Sequence, residues 1–365
     1  MRPRDNYLEY QKTLDNSGTL TINLNMNDPI SELLLKFTAT NGATGNQDNP
    51  ILRNITKVEV VDGSDVLTSA DAPSLAGADA FLRGRIPSQW VSTVPGDGPL
   101  ETLPLLFGRH LYDPDYALDP GKFANPQLKL TWDMAHVNTI GDSGYVTDTL
   151  KLTVLARLME EAPAPKGLLT VKDIYDFTSV GSGDERVDLP VDWPYRALFV
   201  RVYDKGTDFL SNITRIKLSA DADKYIPFDL YTGEIVANIL DNYPPLVSKM
   251  DIRSDELSYR ETWMGQSQGG SGLPSTTEMF VSASQFWQGR VRLIIHDRNG
   301  AAKQGNVFVT DNGCCYYNVI PIPFGLLGDP ASWFDARRYG SLRLYLSQGD
   351  ADAACSVLLQ QLRTY

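Results

Sequence analysis

Residues 52–60 end in alternating apolar and polar positions, and the same pattern returns at residues 210–218. The two segments read LRNITKVEV and LSNITRIKL. Each contains Leu-x-Asn-Ile-Thr, then a basic residue, then apolar residues at every second position. A period of two is typical of a strand with one buried face. We therefore predict two half-buried strands whose basic side chain faces solvent.

The segments on either side match as well, in the same order along the chain. Residues 29–37 correspond to 194–202, and residues 104–108 (PLLFG) correspond to 321–325 (PIPFG). The other matches pair Ile22, Leu24 and Met26 with Val187, Leu189 and Val191, a short amphipathic helix in 75–87 with one in 230–244, 128–130 with 342–344, and 154–155 with 357–358. A long unit repeated only twice indicates two globular domains, because solenoid units span about 20–50 residues.

Each half contains roughly eight strand-like segments and one short helix, separated by turn sequences at intervals of about 8–15 residues. This spacing is typical of an antiparallel sandwich, and jelly rolls have about eight strands in two sheets. We predict an all-β protein of two tandem eight-stranded antiparallel jelly-roll sandwiches, with short helices in the connecting loops.

The predicted domains are an N-terminal arm at 1–17, a first jelly roll at 18–161, a linker at 162–168 and a second jelly roll at 169–365. The polar arm has two interpretations: a terminus packed loosely on its own domain, or a segment that reaches a neighbouring subunit. Two prolines in the sequence APAPK keep the linker extended. The second copy carries an elaborated loop region at 245–318, which we expect to be folded except for a mobile glycine-rich run at 265–272.

Charge and composition narrow the function. The 365-residue chain has 33 basic and 45 acidic residues, a formal net charge of −12. Gripping a phosphate backbone needs clustered Lys and Arg, so we expect no direct sequence-specific binding to nucleic acid. Without an apolar span or an apolar signal core, the chain is expected to be soluble and made without secretion. Its three cysteines, with Cys314 beside Cys315, are expected to be free thiols.

The sequence predicts no catalytic, cofactor or metal site. His110, His136 and His296 are scattered, whereas the metal centre of a cupin needs closely spaced histidines on one strand. Acidic pairs that could attract calcium are Asp113 and Asp115, Asp221 and Asp223, and Asp350 and Asp352. None has the full spacing of a calcium loop, so solvated acidic turns are expected.

Short motifs add little. The glycines at 269–272 are not followed by the lysine of a phosphate loop, and no Gly-x-Ser-x-Gly nucleophile elbow occurs. Asn54 and Asn212 fit the glycosylation pattern, but in a chain made without secretion we interpret them as packing and turn residues.

One alternative function starts from the tryptophans of the second half. Trp263, Trp287 and Trp333, with Asp297 and Asp335, could line a sugar-binding cleft, and two carboxylates about 5–10 Å apart could hydrolyse a glycosidic bond. Tryptophan in a sandwich is more often part of a core or an interface. A glycan-binding or glycan-hydrolysing double sandwich is therefore the alternative, and a viral spike or attachment protein is a third reading.

Through its tandem repeat, carried by 29–37 with 194–202, 54–60 with 212–218 and 104–108 with 321–325, the chain resembles the double jelly-roll major capsid proteins of tailless icosahedral viruses. This lineage includes membrane-containing bacteriophages and adenovirus. The likeness covers nearly the whole chain and is architectural, since no short motif is diagnostic.

The resemblance implies a non-enzymatic shell subunit of the virion, without cofactors, that assembles in the host cytoplasm. Three chains would form a pseudo-hexagonal homotrimeric capsomer that contacts neighbouring capsomers, penton proteins and minor capsid proteins. Residues 1–17 would be an arm that touches an internal viral membrane or minor proteins, and residues 245–318 would be a tower on the capsid.

Overall fold

A computed structural model describes the chain except for residues 47, 139, 141–143, 256, 275–278, 288–289 and 302–303. Strands account for most of the described residues, and the elements follow one another with short connections. The first half comprises β1 (Arg2–Thr13), β2 (Ser17–Asn23), β3 (Ile30–Thr38), β4 (Lys57–Asp62), β5 (Asp65–Ala70), helix α1 (Ala72–Arg83), β6 (Val91–Ser92), β7 (Leu100–Leu106), β8 (Pro126–Asp133) and β9 (Lys151–Glu160).

The second half repeats this plan and adds a block of strands in its middle. Its elements are β10 (Gly167–Thr178), β11 (Asp184–Leu189), β12 (Tyr195–Tyr203), α2 (Phe209–Asn212), β13 (Ile213–Ala220), β14 (Tyr225–Tyr231), α3 (Thr232–Asn242), β15 (Leu246–Asp255), β16 (Leu257–Glu261), β17 (Met264–Pro274), β18 (Met279–Trp287), β19 (Arg290–Asp297), β20 (Gln304–Tyr316), β21 (Val319–Pro323), β22 (Leu342–Gln348) and β23 (Ala354–Thr364). Single 3-10 turns lie at Ile51–Asn54, Pro120–Lys122, Pro330–Ser332 and Ala336–Arg338.

The strand order establishes the duplication. In the first half the strands are ordered β1-β9-β3-β7 and β2-β8-β4-β5; in the second half they are ordered β10-β23-β12-β21 and β11-β22-β13-β14. The two sets have the same topology, strand for strand, and each is an eight-stranded jelly roll of two four-stranded sheets. The predicted fold class is confirmed.

Pairing registers test the sequence matches residue by residue. Leu34 lies opposite Pro104, and Phe199 lies opposite Pro321, as the matched segments require. One match is wrong by two residues: Ile22 pairs with Leu128 and its counterpart Val187 pairs with Leu344, so Leu128 corresponds to Leu344. The error arose because 342–346 alternates leucine with polar residues, which makes a shift of two invisible in the sequence.

The repeated Asn-Ile-Thr segment is a turn followed by a strand. A 3-10 turn ends at Asn54 and helix α2 ends at Asn212, so the predicted strand begins later than expected in both copies. Asn54 is fully buried and donates to Oδ1 of Asn49 over 2.8 Å, which confirms its packing role. Beyond the turn, Val58 and Val60 are buried and Lys57 is exposed, as the alternation predicts.

Helix α1 begins three residues earlier than its sequence suggested. The sequence predicts a helix over 75–87, but the N-cap is Asp71, whose carboxylate accepts from the backbone N–H of Ser74 over 2.9 Å. Pro73 is tolerated because the first-turn amides have no intrahelical partner. The helix ends at Gly84, whose φ of 65° suits glycine.

Residues 1–17 do not form a loose terminus. Strand β1 runs antiparallel to β9 from Arg2 opposite Glu160 to Thr13 opposite Lys151. The hydrogen bonds of the ladder fix a sequence that, judged from its polarity alone, looked unstructured. At the other boundary, β10 starts at Gly167, so the last two residues of the predicted linker lie within a strand.

The region 245–318 is folded into two small sheets. Their orders are β17-β20-β15-β6 and β16-β19-β18, so the short strand β6 of the first half joins the first of them. The glycine-rich run, for which the sequence predicts mobility, forms strand β17 and pairs along β20. At Gly265, the first residue of the run, glycine permits close approach, because a Cβ there would collide with the carbonyl oxygen of Cys315 across the pair.

The two jelly rolls are joined by a strand contact. Strands β5 and β10 are parallel neighbours, with Ser69 opposite Lys172, and this bridge merges one sheet from each half into a single sheet of eight strands. The buried apolar side chains of both halves form one continuous cluster. A packed interface therefore holds the two jelly rolls together.

Candidate functional site

The histidines lie apart. His110 contacts its own loop through the Leu111 carbonyl, His136 lies at the rim of the groove between the jelly rolls, and His296 lies on β19 of the inserted block. Among the described residues, no group of three or more His, Cys, Asp or Glu side chains is placed to hold a metal ion.

The first acidic pair is neutralised by basic side chains. Nε of Arg109 lies 2.7 Å from a carboxylate oxygen of Asp113, and Nη2 lies 2.6 Å from Asp115. Lys166 also contacts Asp115, over 2.7 Å. Hydrogen bonds from Lys166 and then Arg109 hold the pKa of Asp115 below its usual range. These carboxylates stabilise the loop before β8 and leave little room for a calcium ion.

The second pair is also used locally. Asp221 accepts from the backbone N–H groups of Gly340 and Ser341, and Asp223 contacts Lys217 over 2.9 Å. Of the third pair, Asp350 and Asp352, both lie in the turn between β22 and β23.

The tryptophans do not form a sugar platform. Trp263 is only 5% exposed and packs against Tyr203 and Tyr317, with the guanidinium of Arg53 over its ring. Burial of this kind belongs to a core, since a sugar needs an open aromatic face.

Trp333 is likewise 5% exposed, and its indole N–H donates to the Leu326 carbonyl over 2.8 Å. Asp335 forms an ion pair with Arg337 over 2.7 Å, and Asp297 accepts from backbone amides of its own turn. The side chain of Trp287 lies outside the described part of the structure. The described tryptophans and carboxylates therefore do not assemble the predicted cleft.

The three cysteines are free, as predicted, and all three are buried. The sulfur atoms of Cys314 and Cys315 are 3.5 Å apart. The hydrogen bond between the two thiols and burial raise the pKa of the Cys315 thiol well above its ordinary value. Protonated, inaccessible thiols are poor nucleophiles.

A groove of about 920 Å³ follows the junction of the two jelly rolls. Its walls are β4 and β5 on one side and β10 and the start of β23 on the other. Asp173 and Asp176 project from the β10 wall, and burial together with the neighbouring carboxylate raises the pKa of Asp173. Asp71, which follows β5, forms an ion pair of 2.7 Å with Arg201 on β12 of the second jelly roll.

A buried carboxylate also links the two halves. Glu101 on β7 is completely buried and accepts from the N–H of Ile51 over 2.7 Å and of Leu52 over 3.3 Å. The Tyr317 hydroxyl, from the second half, donates to the same carboxylate over 3.3 Å. Burial raises the pKa of Glu101 to about 7. The residue caps a turn and bridges two domains.

Sequence comparisons give no relative. No protein-family model matches the chain, and no curated protein matches it significantly. Solved structures do match. The major capsid protein of Sulfolobus turreted icosahedral virus superimposes with a TM-score of 0.60 at 10% identity, over 99% of this chain and 96% of that one. The chain has the fold of viral major capsid proteins.

Two further capsid structures extend the likeness. The major capsid protein P2 of bacteriophage PM2 gives a TM-score of 0.55 at 12% identity, over 100% of this chain and 98% of that one. The capsid of PBCV-1 gives 0.54 at 11% identity, over 99% and 93%. At such identities the likeness concerns the fold, and it spans both jelly rolls together.

In this capsid-protein fold, two sheet edges differ between the copies. The outer edge of β5 is covered by β10, whereas no strand in the described part of the chain pairs with the corresponding edge of β14 in the second jelly roll. Neither β5 nor β14 was predicted from the sequence. The available signal for β14 was the alternation of apolar and polar residues at 225–231, which Pro227 interrupts.

No helix of the described chain is long and apolar enough to cross a bilayer.

Proposed function

We propose that this chain is the structural major capsid protein of an icosahedral virus and that three copies form a pseudo-hexagonal capsomer. The observation that carries the proposal is the tandem pair of topologically identical jelly rolls in one chain. Six similar lobes in a closed threefold ring can tile a hexagonal net, while each lobe keeps its own neighbours. The whole-length likeness to viral major capsid proteins supports the same role.

The proposed role is non-enzymatic. Two observations support a structural protein over a catalyst. The acidic pairs are engaged by Arg109, Lys166 and Lys217, and the described tryptophans considered for a sugar site are buried. No described observation favours the glycan-active alternative.

Assembly partners follow from this role. We propose contacts with neighbouring capsomers, penton proteins and minor capsid proteins, and location in the virion after assembly in the host cytoplasm. The block 245–318 would project from the capsid as a tower, because its two sheets lie outside both jelly rolls. Contact of residues 1–17 with an internal membrane belongs to the same proposal. So do the predicted domain boundaries, except that β1 and β10 extend the two jelly rolls to Arg2 and Gly167.

Native mass spectrometry and negative-stain electron microscopy of the purified protein test the assembly. The expected particle has three times the 40.4 kDa of one chain and a hexagonal outline with six lobes. A monomer at micromolar concentration would contradict the proposal, since capsomers of this kind are obligate assemblies. An elongated attachment fibre would point to the spike reading instead.

A further inference from the structure

We infer that the open edge of β14 in one chain receives strand β1 of the next chain, in parallel, with Asn6 opposite Asp229. The inference rests on the proposed trimer and goes beyond it by naming the seam. Its basis is the contact that the chain already makes with itself, in which β5 of the first jelly roll receives β10 of the second. Strand β14 corresponds to β5, and β1 corresponds to β10.

The register of β1 follows from its pairing partners. In the second jelly roll, Leu358 and Leu359 of β23 lie opposite Asp173 and Lys172 of β10. In the first, Leu155 and Ala156 of β9 lie opposite Tyr7 and Asn6. The correspondence of Leu155 with Leu358 has independent support. Leu155 lies opposite Leu34 on β3, and Leu358 lies opposite Phe199 on β12, the residue that matches Leu34 in the repeat. Asn6 is therefore the counterpart of Lys172.

The register of β14 is fixed in the same manner. Ser69 on β5 lies opposite Glu59 on β4, and Asp229 on β14 lies opposite Lys217 on β13. Glu59 and Lys217 occupy the same place in the repeated segments LRNITKVEV and LSNITRIKL. Asp229 is therefore the counterpart of Ser69, and the internal bridge Ser69–Lys172 becomes Asp229–Asn6 between chains.

The burial of corresponding strands shows that β14 and β1 lack the neighbour that β5 and β10 have. Strand β5 is half-buried or buried along its whole length, whereas both ends of β14 are exposed. The first four residues of β10 are buried, and the first four of β1 are exposed. A strand edge without a partner is a template for pairing with another chain.

Exposed apolar side chains gather on the same two edges. Tyr7 and Tyr10 on β1 are 58% and 64% exposed, and Tyr231 on β14 is 64% exposed. Tyr225, Ile226 and Leu230 are exposed on the same strand. Tyrosine is enriched at protein interfaces because it buries a large apolar area and keeps a polar tip.

Proline limits the seam to a short contact. Pro227 has no N–H, so an incoming strand can pair with β14 only beyond it, from Phe228 to Tyr231. The internal junction is equally short, with the single bridge at Ser69. The β5–β10 contact joins the two jelly rolls within a chain, and the proposed β14–β1 contact joins one chain to the next in a similar way. Three chains joined by these contacts close a ring in which no β1 or β14 edge is left unpaired.

Cysteine cross-linking of the full-length protein tests the register. The double variant Asn6→Cys with Asp229→Cys should form disulfides between chains on mild oxidation and give covalent dimers and trimers on a non-reducing gel. The native cysteines are buried and should not react. A second pair one step along, Tyr7→Cys with Leu230→Cys, covers failure of the first variant to fold.

The control is Asn6→Cys with Asp188→Cys. Asp188 lies on β11, the opposite edge of the β14 sheet, and is ion-paired with Arg343 as Asp229 is with Arg215. It should give no cross-link between chains. Trimers by native mass in which neither test pair cross-links, or in which the control does, would overturn the seam and leave the proposed function standing. A monomeric unmodified protein would overturn both.

Discussion

Arg363 on the last strand of the second jelly roll forms an ion pair with Asp65 of the first, with Nη2 and Oδ2 2.6 Å apart. The two residues are almost the whole chain apart in sequence. Their contact lies beside the β5–β10 bridge, where one sheet passes from one jelly roll into the other. Charge as well as packing therefore holds the relative position of the two domains.

Removing this ion pair should weaken the junction slightly. The hydrogen bond from Arg363 holds the pKa of Asp65 below its usual range. Because the pair is partly exposed, we expect Asp65→Asn to lower the free energy of unfolding at pH 7 by no more than ~1 kcal/mol. A carboxylate whose pKa is depressed in the folded state stabilises the fold fully above its unfolded-state pKa. This stabilisation is lost as the pH falls through the folded-state pKa. The difference from the unmodified protein should therefore vanish in acid.

Thermal unfolding at several pH values measures this effect. The double variant Asp65→Asn with Arg363→Gln is the control, because it should lose no more stability than the worse single variant. Strictly additive losses would show that the two side chains do not interact.

Glu101 should make the protein less stable as the pH rises. Burial raises its pKa from 4.5 to about 7, so between these values the folded state holds a proton that the unfolded state has released. Stability is then complete below pH 4.5 and falls up to pH 7, by at most about 3 kcal/mol. Glu101→Gln should flatten the decline in melting temperature between pH 5 and pH 8. Glu234→Gln, on an exposed helix face, should leave the decline unchanged.

The sequence was sufficient to predict the duplication because most of its alternating apolar and polar residues lie on strands that expose one face to solvent. Residues 52–60 show this pattern, and their buried Val58 and Val60 match Ile216 and Leu218 in the second copy. Polar segments that become strands through tertiary pairing were not predictable. Strand β1 is an example, because its structure comes from the ladder with β9 and not from its own pattern.

Candidate chemistry was harder to judge from sequence. Buried Glu101 gave no signal, because its role depends on two amides about 50 residues away that only the fold brings near. For Trp263 and Trp333 the sequence favoured a core or an interface but left a sugar-binding surface open as the alternative, and the structure buries both side chains. Sequence spacing carries no information on contacts of this range.

Phe81 should contribute strongly to the stability of the interface between the two jelly rolls. Its ring lies 4.8 Å from that of Tyr243 and 6.4 Å from that of Phe199, so helix α1 of the first half packs on the second through it. We expect Phe81→Ala to reduce the free energy of unfolding by about 3–5 kcal/mol, since it removes a large buried side chain and leaves a cavity. Chemical denaturation measures the loss. Phe308→Ala, at an exposed position, should change stability by less than about 0.5 kcal/mol.

Two helical glycines in the equivalent helices should respond in opposite directions to alanine. Alanine is the better helix former by about 0.8–1.0 kcal/mol, so propensity alone predicts stabilisation at both positions. At Gly77 in α1, an added Cβ would collide with the carbonyl oxygen of Tyr316 and a methyl group of Val319, both from the second half. At Gly233 in α3, it would meet nothing within 4 Å.

We therefore expect Gly77→Ala to destabilise by about 1–3 kcal/mol, because overpacking separates α1 from β20 and β21. Gly233→Ala should raise the melting temperature slightly, because it restricts the unfolded chain without a clash. Both variants are compared by thermal unfolding under the same conditions. Equal stabilisation by both would mean that α1 does not lie against the second jelly roll as closely as described, since the same substitution would then meet open space on each helix.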